Sequence, residues 1–364
     1  MTRAKPTDLR RGWTTGACAT AAAKASFCAL ATGDFPDPVE ITLPKGGTAD
    51  FILARHALGS GHASASIVKD AGDDPDVTHG ALVTATVQPL PEGAGVHFKA
   101  GPGVGTVTRP GLPIPPGEPA INPVPRQMMR AAIAEEALRT GLSPDVEIEI
   151  AIDGGAELAL KTLNPRLGIV GGLSVLGTTG IVRPFSCAAW IASIHRGIDV
   201  ARATGLTHVV GATGSTSEDA VRARYDLDEA AFLDMGDFAG GMLKYLRAHP
   251  VPRLTMAGGF AKFTKLASGA LDLHSARSTV DLQFLTDLVS EAGGSPALAA
   301  AVPTANTAKE VLDRATKEGI DLGTPLAHRA RNAVRSVLRE ADIKVEVMIV
   351  DRAGNVIGET GPDG

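Results

Sequence analysis

The sequence predicts two α/β domains in one chain. The first, over 1–165, is an α+β domain with a mixed sheet. The second, over 166–364, is a Rossmann-like domain whose mostly parallel sheet carries helices on both faces. Three observations predict this. The chain has 364 residues, 44% of them hydrophobic, more than one ordinary core holds, so two domains are the default. Between residues 39 and 99 lie short, β-branched runs separated by turn residues, as in an antiparallel or mixed sheet. From about Ser186 onward helix and strand alternate, the rhythm of βα units around a parallel sheet.

Residues 13–33 read as a loop feeding an Ala-rich helix, capped by Thr14 or Thr15 and closed by Gly33. Strand-like runs follow at 39–43, 51–55, 65–69, 82–87 and 96–99. Residues 101–125 hold eight prolines and five glycines, which excludes helix and central strand. The stretch is a linker or a long ordered loop, and its prolines lower the entropy of the unfolded chain, which suits a fixed binding loop. Pro125 stands well at the start of a helix over 126–140, with Gly141 after it. Strands are expected at 146–152 and 158–162, then a glycine-rich run over 168–180 in which Thr178-Thr179-Gly180 echoes Thr14-Thr15-Gly16. The second half reads as a helix over 187–204, a strand over 207–211, a loop and helices ending before Pro250. A strand over 254–257 and further helices follow, the last started by Pro325, and a strand over 345–350 ends in the turn Arg352-Ala353-Gly354-Asn355.

Composition removes several function classes. A net charge of −5 and a pI near 6.0 argue against general phosphate-backbone binding. Aromatics at 4% argue against base-stacking platforms. Three cysteines, Cys18, Cys28 and Cys187, without a CxxC form no disulfide framework and no zinc motif. No signal peptide or bilayer-spanning run is present, so the expectation is a cytoplasmic protein with no membrane and no nucleic-acid partner. GxGxxG, GxxxxGK[ST], GxSxG and HExxH are all absent, which disfavours dinucleotide, P-loop, common hydrolase and zincin chemistry.

Two kinds of segment can carry chemistry. The phrase Lys69-Asp70-Ala71-Gly72-Asp73-Asp74-Pro75-Asp76-Val77-Thr78-His79-Gly80 packs four carboxylates onto a Gly/Pro turn. Such packing serves a cation, a proton or a donor-rich ligand, and a solvated acidic turn is the structural alternative. The second kind is a strand end. Val209-Val210-Gly211-Ala212-Thr213-Gly214-Ser215-Thr216-Ser217-Glu218 ends a buried strand in glycine, and Ser215 and Glu218 have capping-box spacing. Met256-Ala257-Gly258-Gly259-Phe260-Ala261-Lys262 ends another. Ligands of open α/β sheets bind at such ends, which makes Gly211, Thr213, Gly214, Ser215, Gly258 and Gly259 the candidate cofactor residues. An ordinary strand-to-helix turn is the alternative. Lys262 and Lys265 suit an anionic ligand, with a solvated helix face as the reading preferred for Lys265. His79 and His274 stand in loops and are the better histidine candidates, whereas His195 reads as a packed mid-helix residue. Cys187 reads as a small buried hydrophobe.

Four phrases taken in order resemble the cobalt-precorrin-5B (C1)-methyltransferase family of the anaerobic-type cobalamin route. They are Leu9-Arg10-Arg11-Gly12-Trp13-Thr14-Thr15-Gly16-Ala17-Cys18, the phrase from Lys69 to Gly80, Gly117-Glu118-Pro119-Ala120-Ile121-Asn122-Pro123-Val124-Pro125-Arg126, and Asn164-Pro165-Arg166-Leu167-Gly168 running into Gly180-Ile181-Val182. Trp13 stands where the family usually has Tyr. The resemblance implies transfer of a methyl group from S-adenosyl-L-methionine to C1 of cobalt-precorrin-5B, giving cobalt-precorrin-6A. Cobalt then enters only as part of the substrate, and no metal site is expected. A macrocycle with many carboxylates calls for Arg, Lys, hydroxyls and backbone N–H groups, here Arg11, Thr14, Thr15, Lys69, Arg126, Arg166, Thr178 and Thr179, with Arg10, Arg109 and Arg183 nearby. Asp70, Asp73 and Asp74 are the candidate catalytic carboxylates, either placing electron density in the macrocycle or accepting a proton; capping the turn is the structural alternative. Expected partners are the tetrapyrrole, a second copy of the chain and transient neighbours in the pathway. The rival of another class is a tetrapyrrole carrier or scaffold without turnover. A nucleotide-using kinase or oxidoreductase ranks below both.

Overall fold

Two large cores organise the chain, in line with its length. In the computed structural model, which describes residues 9–361, one unit runs through Cys187 and the other from Ala188.

In the first unit β1 (Gly12–Trp13) leads into α1 (Thr15–Thr32). Thr14 caps α1, its Oγ1 accepting the N–H of Ala17 at 3.2 Å, and Gly33 closes it in the left-handed conformation at φ 86°. Every residue from Thr15 to Ala29 is buried, so α1 has no polar face and must be enclosed. Its hydroxyls turn back on the helix, Thr20 donating to Gly16 O at 2.8 Å and Ser26 to Ala22 O at 2.9 Å, which leaves neither stranded. The enclosure begins with the hairpin β2 (Val39–Thr42) and β3 (Thr48–Phe51). Strands β4 (Arg55–Gly59), β5 (His62–Val68), β6 (Leu82–Pro89) and β7 (Val96–Ala100) follow.

Next come β8 (Gly103–Val104), β9 (Thr106–Val107), α2 (Pro123–Thr140) and β10 (Val146–Ile152). The main sheet has the order β4-β5-β6-β10-β7 and is antiparallel except between β10 and β7. This is the mixed sheet its strand pattern predicts. Along β10, Val146, Ile148, Ile150 and Ile152 are buried while Glu147 and Glu149 take the other face. Full burial of such a side chain contributes about 1.5–3 kcal/mol.

The expected strand at 158–162 is a helical turn instead, α3 (Gly155–Ala159). Gly154 turns the chain at φ 66°, and Gly155 lies backbone to backbone on Gly103, where a Cβ would stand 2.2 Å from Gly103 O. That contact ends the sheet and starts the turn. The unit closes with β11 (Ile169–Val170), β12 (Gly172–Leu173) and β13 (Ile181–Val182). The Pro-rich segment is an ordered loop. Its β9 pairs with β11 and its β8 with β12, over a small core of Val107, Ile114, Ala120 and Ile169.

The second unit contains α4 (Cys187–Ala203, beginning at the boundary), β14 (His208–Ala212), α5 (Ser215–Arg222), α6 (Ala239–Ala248), β15 (Arg253–Gly259) and α7 (Phe260–Ala267). Then follow α8 (Leu282–Glu291), α9 (Pro296–Ala301), α10 (Ala308–Lys317), α11 (Gly323–Leu338), β16 (Lys344–Val350) and β17 (Val356–Glu359). Strands β14, β15 and β16 are parallel, and β17 adds an antiparallel edge that the sequence reading did not predict. Val209, Leu254, Met256, Val345 and Val347 face a large core with α6, α7 and α11. Val210, Ala212, Ala257 and Met348 face a smaller one with Val221 of α5 and Phe232. Strand order follows chain order, without the reversal that opens a crevice in doubly wound sheets.

At the amino ends of these strands Glu346 is fully buried. It accepts from Tyr225 at 2.8 Å, Thr255 at 2.8 Å and Arg253 at 3.2 Å. His208 Nε2 lies 2.7 Å from Thr255 Oγ1. Burial first, then the Arg253 charge, lowers the His208 imidazole to about 4 against the pull of Glu346. Among the described residues no helix is long and apolar enough to cross a membrane.

Candidate active site

Three distant stretches of the first unit meet around β1. It pairs antiparallel with β13, Gly12 opposite Val182 and Trp13 opposite Ile181. Trp13 N–H donates to Asp70 O at 2.7 Å, Thr14 N–H to Gly180 O at 2.9 Å and Gly16 N–H to Leu176 O at 3.0 Å. Glycine is required at two of these crossings. A Cβ on Gly12 would stand 2.1 Å from the carbonyl carbon of Ala71, and one on Gly177 would stand 2.3 Å from Thr14 Oγ1. Segments 9–16, 69–80 and 174–185 therefore share one surface. Within it Thr14 serves as helix cap and Thr15 is buried in the first turn. Thr179 closes its own turn, accepting from Ile181 N–H at 3.2 Å and donating to Ile181 O at 3.1 Å, while Thr178 is exposed.

Each carboxylate of the acidic phrase has a defined partner. Asp70 makes a two-point ion pair with Arg10, 2.9 Å at Nη2, and accepts the Gly72 N–H at 2.9 Å. The Arg10 guanidinium and that N–H hold its carboxyl down at about 2. Asp73 accepts the Arg10 N–H at 2.7 Å and returns its own N–H to Arg10 O at 3.0 Å. Asp74 reaches across to the Phe185 N–H at 2.8 Å. Asp76 holds Lys69 at 2.6 Å and accepts from Thr78 at its hydroxyl, 2.6 Å, and its N–H, 2.8 Å. Burial pushes the Asp76 carboxyl up, but Lys69 and Thr78 outweigh it, and it lies below its ordinary value. The Lys69 ammonium, expected among the substrate ligands, is 1% exposed beneath this loop. His79 Nδ1 accepts the Ala71 N–H at 3.1 Å.

The arginines divide into those that build loops and those left open. Arg126 donates to Ile121 O at 2.8 Å, to Pro119 O at 3.0 Å and to Glu118 at 3.2 Å, which pins the Pro-rich loop to α2. Arg166 is half-buried in the turn that begins at Asn164. Arg11 and Arg183 occupy the next positions outward on the β1–β13 ribbon and are exposed. Sequence reasoning missed Phe185, whose side chain is 60% exposed and whose backbone is left-handed at φ 55°. The one available signal was an aromatic outside any core pattern in an aromatic-poor chain.

In the second unit the carboxyl ends of β14 and β15 form a separate cluster. Gly211 and Gly258 make room for protein: a Cβ would stand 2.4 Å from Met242 Cε at the first, and 2.3 Å from the Phe263 ring at the second. Gly214 and Gly259 are different, since a Cβ on either meets nothing within 4 Å. Ser215 and Glu218 do not form the expected capping box. Gly214 is the cap residue, the Ser217 hydroxyl donates to Gly214 O at 2.8 Å, and Glu218 pairs with Arg222 at 2.9 Å. Lys262 bridges Thr213 O and Asp237, each at 3.0 Å. Trp190, 46% exposed, donates Nε1–H to Asp234 O at 2.9 Å, and its ring lies 3.5 Å from where a Gly236 Cβ would stand. Gly236 N–H in turn bonds Ala212 O at 3.0 Å. Open glycine backbone, the exposed Ser215 and Thr216, the Asp237 carboxylate and the Trp190 indole lie about this strand end.

Lys265 is not on a solvated face. It is buried, and its Nζ donates to Leu273 O at 3.0 Å. Helical spacing alone did not reveal that the loop before His274 folds back over α7. His195 is packed, stacked on Tyr245 at 3.9 Å. Cys187 is half-buried. Among the described residues no group of three or more His, Cys, Asp or Glu side chains is arranged to hold a metal ion.

These parts define an α/β protein whose candidate ligand surfaces are built by glycine-, arginine- and carboxylate-bearing loops. Comparison with known proteins then gives the family. The model described as CbiD matches residues 2–184, and that described as CbiD, C-terminal domain, matches 272–361. A Brucella anthropi protein named cobalt-precorrin-5B C(1)-methyltransferase is 62% identical over 350 residues, 96% of this chain and 95% of its own. A protein of the same name from Brucella abortus is 61% identical over the same shares. A crystal structure of cobalamin biosynthesis protein (cbiD) from Archaeoglobus fulgidus matches at 22% identity and TM-score 0.40, covering 85% of each chain. The chain belongs to the CbiD family.

Proposed function

We propose that this protein is the S-adenosyl-L-methionine-dependent methyltransferase that methylates C1 of cobalt-precorrin-5B to give cobalt-precorrin-6A. The observation that carries the reading is identity of 60–62% across 96% of the chain to relatives named for that reaction. When bound, S-adenosyl-L-methionine supplies an electrophilic methyl group. Displacement at such a methyl needs alignment and exclusion of water more than strong acid–base catalysis. The loops of the first unit are suited to alignment. Arg10, Asp70, Asp73 and Asp74 knit the acidic phrase to the amino-terminal segment and leave Arg11 open toward an anionic ligand. The Arg10 guanidinium and the Gly72 N–H favour the ionised form of Asp70, so this carboxylate is better suited to ordering the loop than to accepting a proton. Lys69, Thr14, Thr15 and Arg126 support the surface from beneath, and Arg166, Thr178 and Thr179 stand in its loops.

For the cofactor, Gly214, Ser215 and Gly259 offer open backbone and a hydroxyl, Thr213 and Asp237 line the same strand end, and Trp190 offers an aromatic face. Gly211 and Gly258 shape the strand ends by packing. Three parallel strands with helices on both faces support a Rossmann-like reading of this unit. We place the protein in the cytoplasm, with the cobalt-bearing tetrapyrrole as substrate.

Calorimetric titration with S-adenosylhomocysteine, using NAD and ATP as controls, tests the cofactor. Turnover of cobalt-precorrin-5B to a product one methyl heavier tests the reaction. Selective binding with turnover is the expected result. Macrocycle binding without S-adenosylhomocysteine binding or turnover would replace the enzyme by a carrier.

A further inference from the structure

Residues 182–185 carry more strain and more unpaired charge than a connecting segment needs. Phe185 adopts φ 55°, a region that costs a non-glycine residue energy and persists only where the surroundings impose it. In that conformation its N–H is held by Asp74, which accepts it at 2.8 Å from 111 residues away. The strain gains no burial, because the ring remains 60% exposed. Beside it, Arg11 and Arg183 sit one position beyond the last pair of the β1–β13 ribbon. Like charges at adjacent cross-strand positions repel. No ion pair or hydrogen bond neutralises either guanidinium among the described residues, whereas the neighbouring Arg10 is fully engaged with Asp70.

We infer that Phe185, presented by Asp74 and flanked by Arg11 and Arg183, is the surface on which a flat, carboxylate-rimmed macrocycle rests. The phenyl ring stacks on the macrocycle, and the two guanidiniums take carboxylates at its edge. This rests on the substrate class proposed above and adds the contact face within it. Asp74 is on this account a positioning residue, acting through the backbone of Phe185.

The test uses Phe185→Gly and Phe185→Ala in the full chain, with cobyrinic acid, a stable cobalt corrin polycarboxylate, as binding probe, and kcat and KM measured on cobalt-precorrin-5B. Both variants lose the ring, but only glycine relieves the backbone. Phe185→Gly is therefore expected to melt no lower than Phe185→Ala, while both raise the macrocycle KM and the probe Kd roughly tenfold and leave the KM for S-adenosyl-L-methionine unchanged. Asp74→Ala should raise the macrocycle KM similarly, add little to Phe185→Ala in the double variant, and be rescued by Asp74→Asn, which keeps an acceptor oxygen. Arg11→Gln and Arg183→Gln should each weaken the probe and flatten its salt dependence. Wild-type KM and probe Kd in both Phe185 variants would overturn the inference and leave the methyltransferase reading standing. Ring-dependent probe binding without any turnover by the wild-type protein would support this surface and count against the methyltransferase. An unfolded Phe185→Gly would overturn the argument from strain.

Discussion

Asp76→Asn isolates the most deeply set ion pair of the candidate site. Lys69 is 1% exposed and its ammonium stands 2.6 Å from Asp76. At an effective dielectric of ~20 the attraction is about 6 kcal/mol, most of it offset by the cost of removing the ammonium from water. Taking away the carboxylate keeps that cost and abolishes the attraction, a loss of 3–5 kcal/mol for a typical buried pair. The Asp76 side chain is 25% exposed, so water can partly replace it, and the lower end, about 3 kcal/mol, applies. Lys69→Met leaves only the more accessible partner alone and should cost less. The double variant should recover about 1–3 kcal/mol relative to the sum of the singles. The chain has two tryptophans, Trp13 in this unit and Trp190 in the other. In a Trp190→Phe background, fluorescence during urea unfolding therefore reports the first unit alone. With a slope of about 2–3 kcal/mol per M, the midpoint should fall by about 1 M. An unchanged midpoint, or additive singles, would refute the reasoning.

Three other outcomes follow from the same geometry. Gly258→Ala should destabilise the second unit by about 1–3 kcal/mol, because its Cβ would meet Phe263 at 2.3 Å and Thr213 Oγ1 at 2.7 Å; a melting temperature equal to wild type would contradict this. Gly214→Ala and Gly259→Ala meet nothing and should leave the melting temperature unchanged, so any rise in their Kd for S-adenosylhomocysteine reads out ligand approach directly. His208, lowered from 6.5 to about 4, binds a proton more readily unfolded than folded. Its contribution of about 3 kcal/mol is complete above pH 6.5 and is lost as pH falls toward 4. Chemical denaturation of the second unit across that window should show the slope, and His208→Gln should flatten it.

Much of this was legible in the sequence because the local signals were strong. Thr14 caps α1 through its hydroxyl, and Gly33 closes it because the absence of a Cβ permits the left-handed turn. The alternation of β10 marks a half-buried strand, and Pro125 fits the first turn of α2, although the helix begins two residues earlier, at Pro123, inside the stretch read as non-helical. Misreadings arose where distant chain decides the local outcome. Residues 158–162 read as strand, but a backbone contact between Gly155 and Gly103 turns the chain there. Ser215 and Glu218 have capping-box spacing, yet Arg222 claims Glu218. Lys265 has the spacing of a surface lysine, but the chain leading to Leu273 covers it. At the candidate site the sequence marked the acidic phrase without revealing that Arg10, Lys69 and the Phe185 backbone engage its carboxylates. Those bonds span up to 111 residues, and no local pattern encodes them. The left-handed Phe185 is invisible for the same reason, since nothing in its own neighbourhood calls for that conformation.

The enclosed α1 has a consequence for how the protein is made. It leaves the ribosome before almost everything that covers it, and α2 follows about ninety residues later, roughly 5–20 s at ordinary elongation rates. For that interval a helix with no polar face stands without its enclosure. Its alanines limit the hazard, because each exposes little apolar surface while still favouring helix. Replacing several of them by leucine would overpack the finished core and would also lengthen dependence on chaperones until α2 has been made. The alanine content of α1 thus serves the nascent chain as well as the folded one.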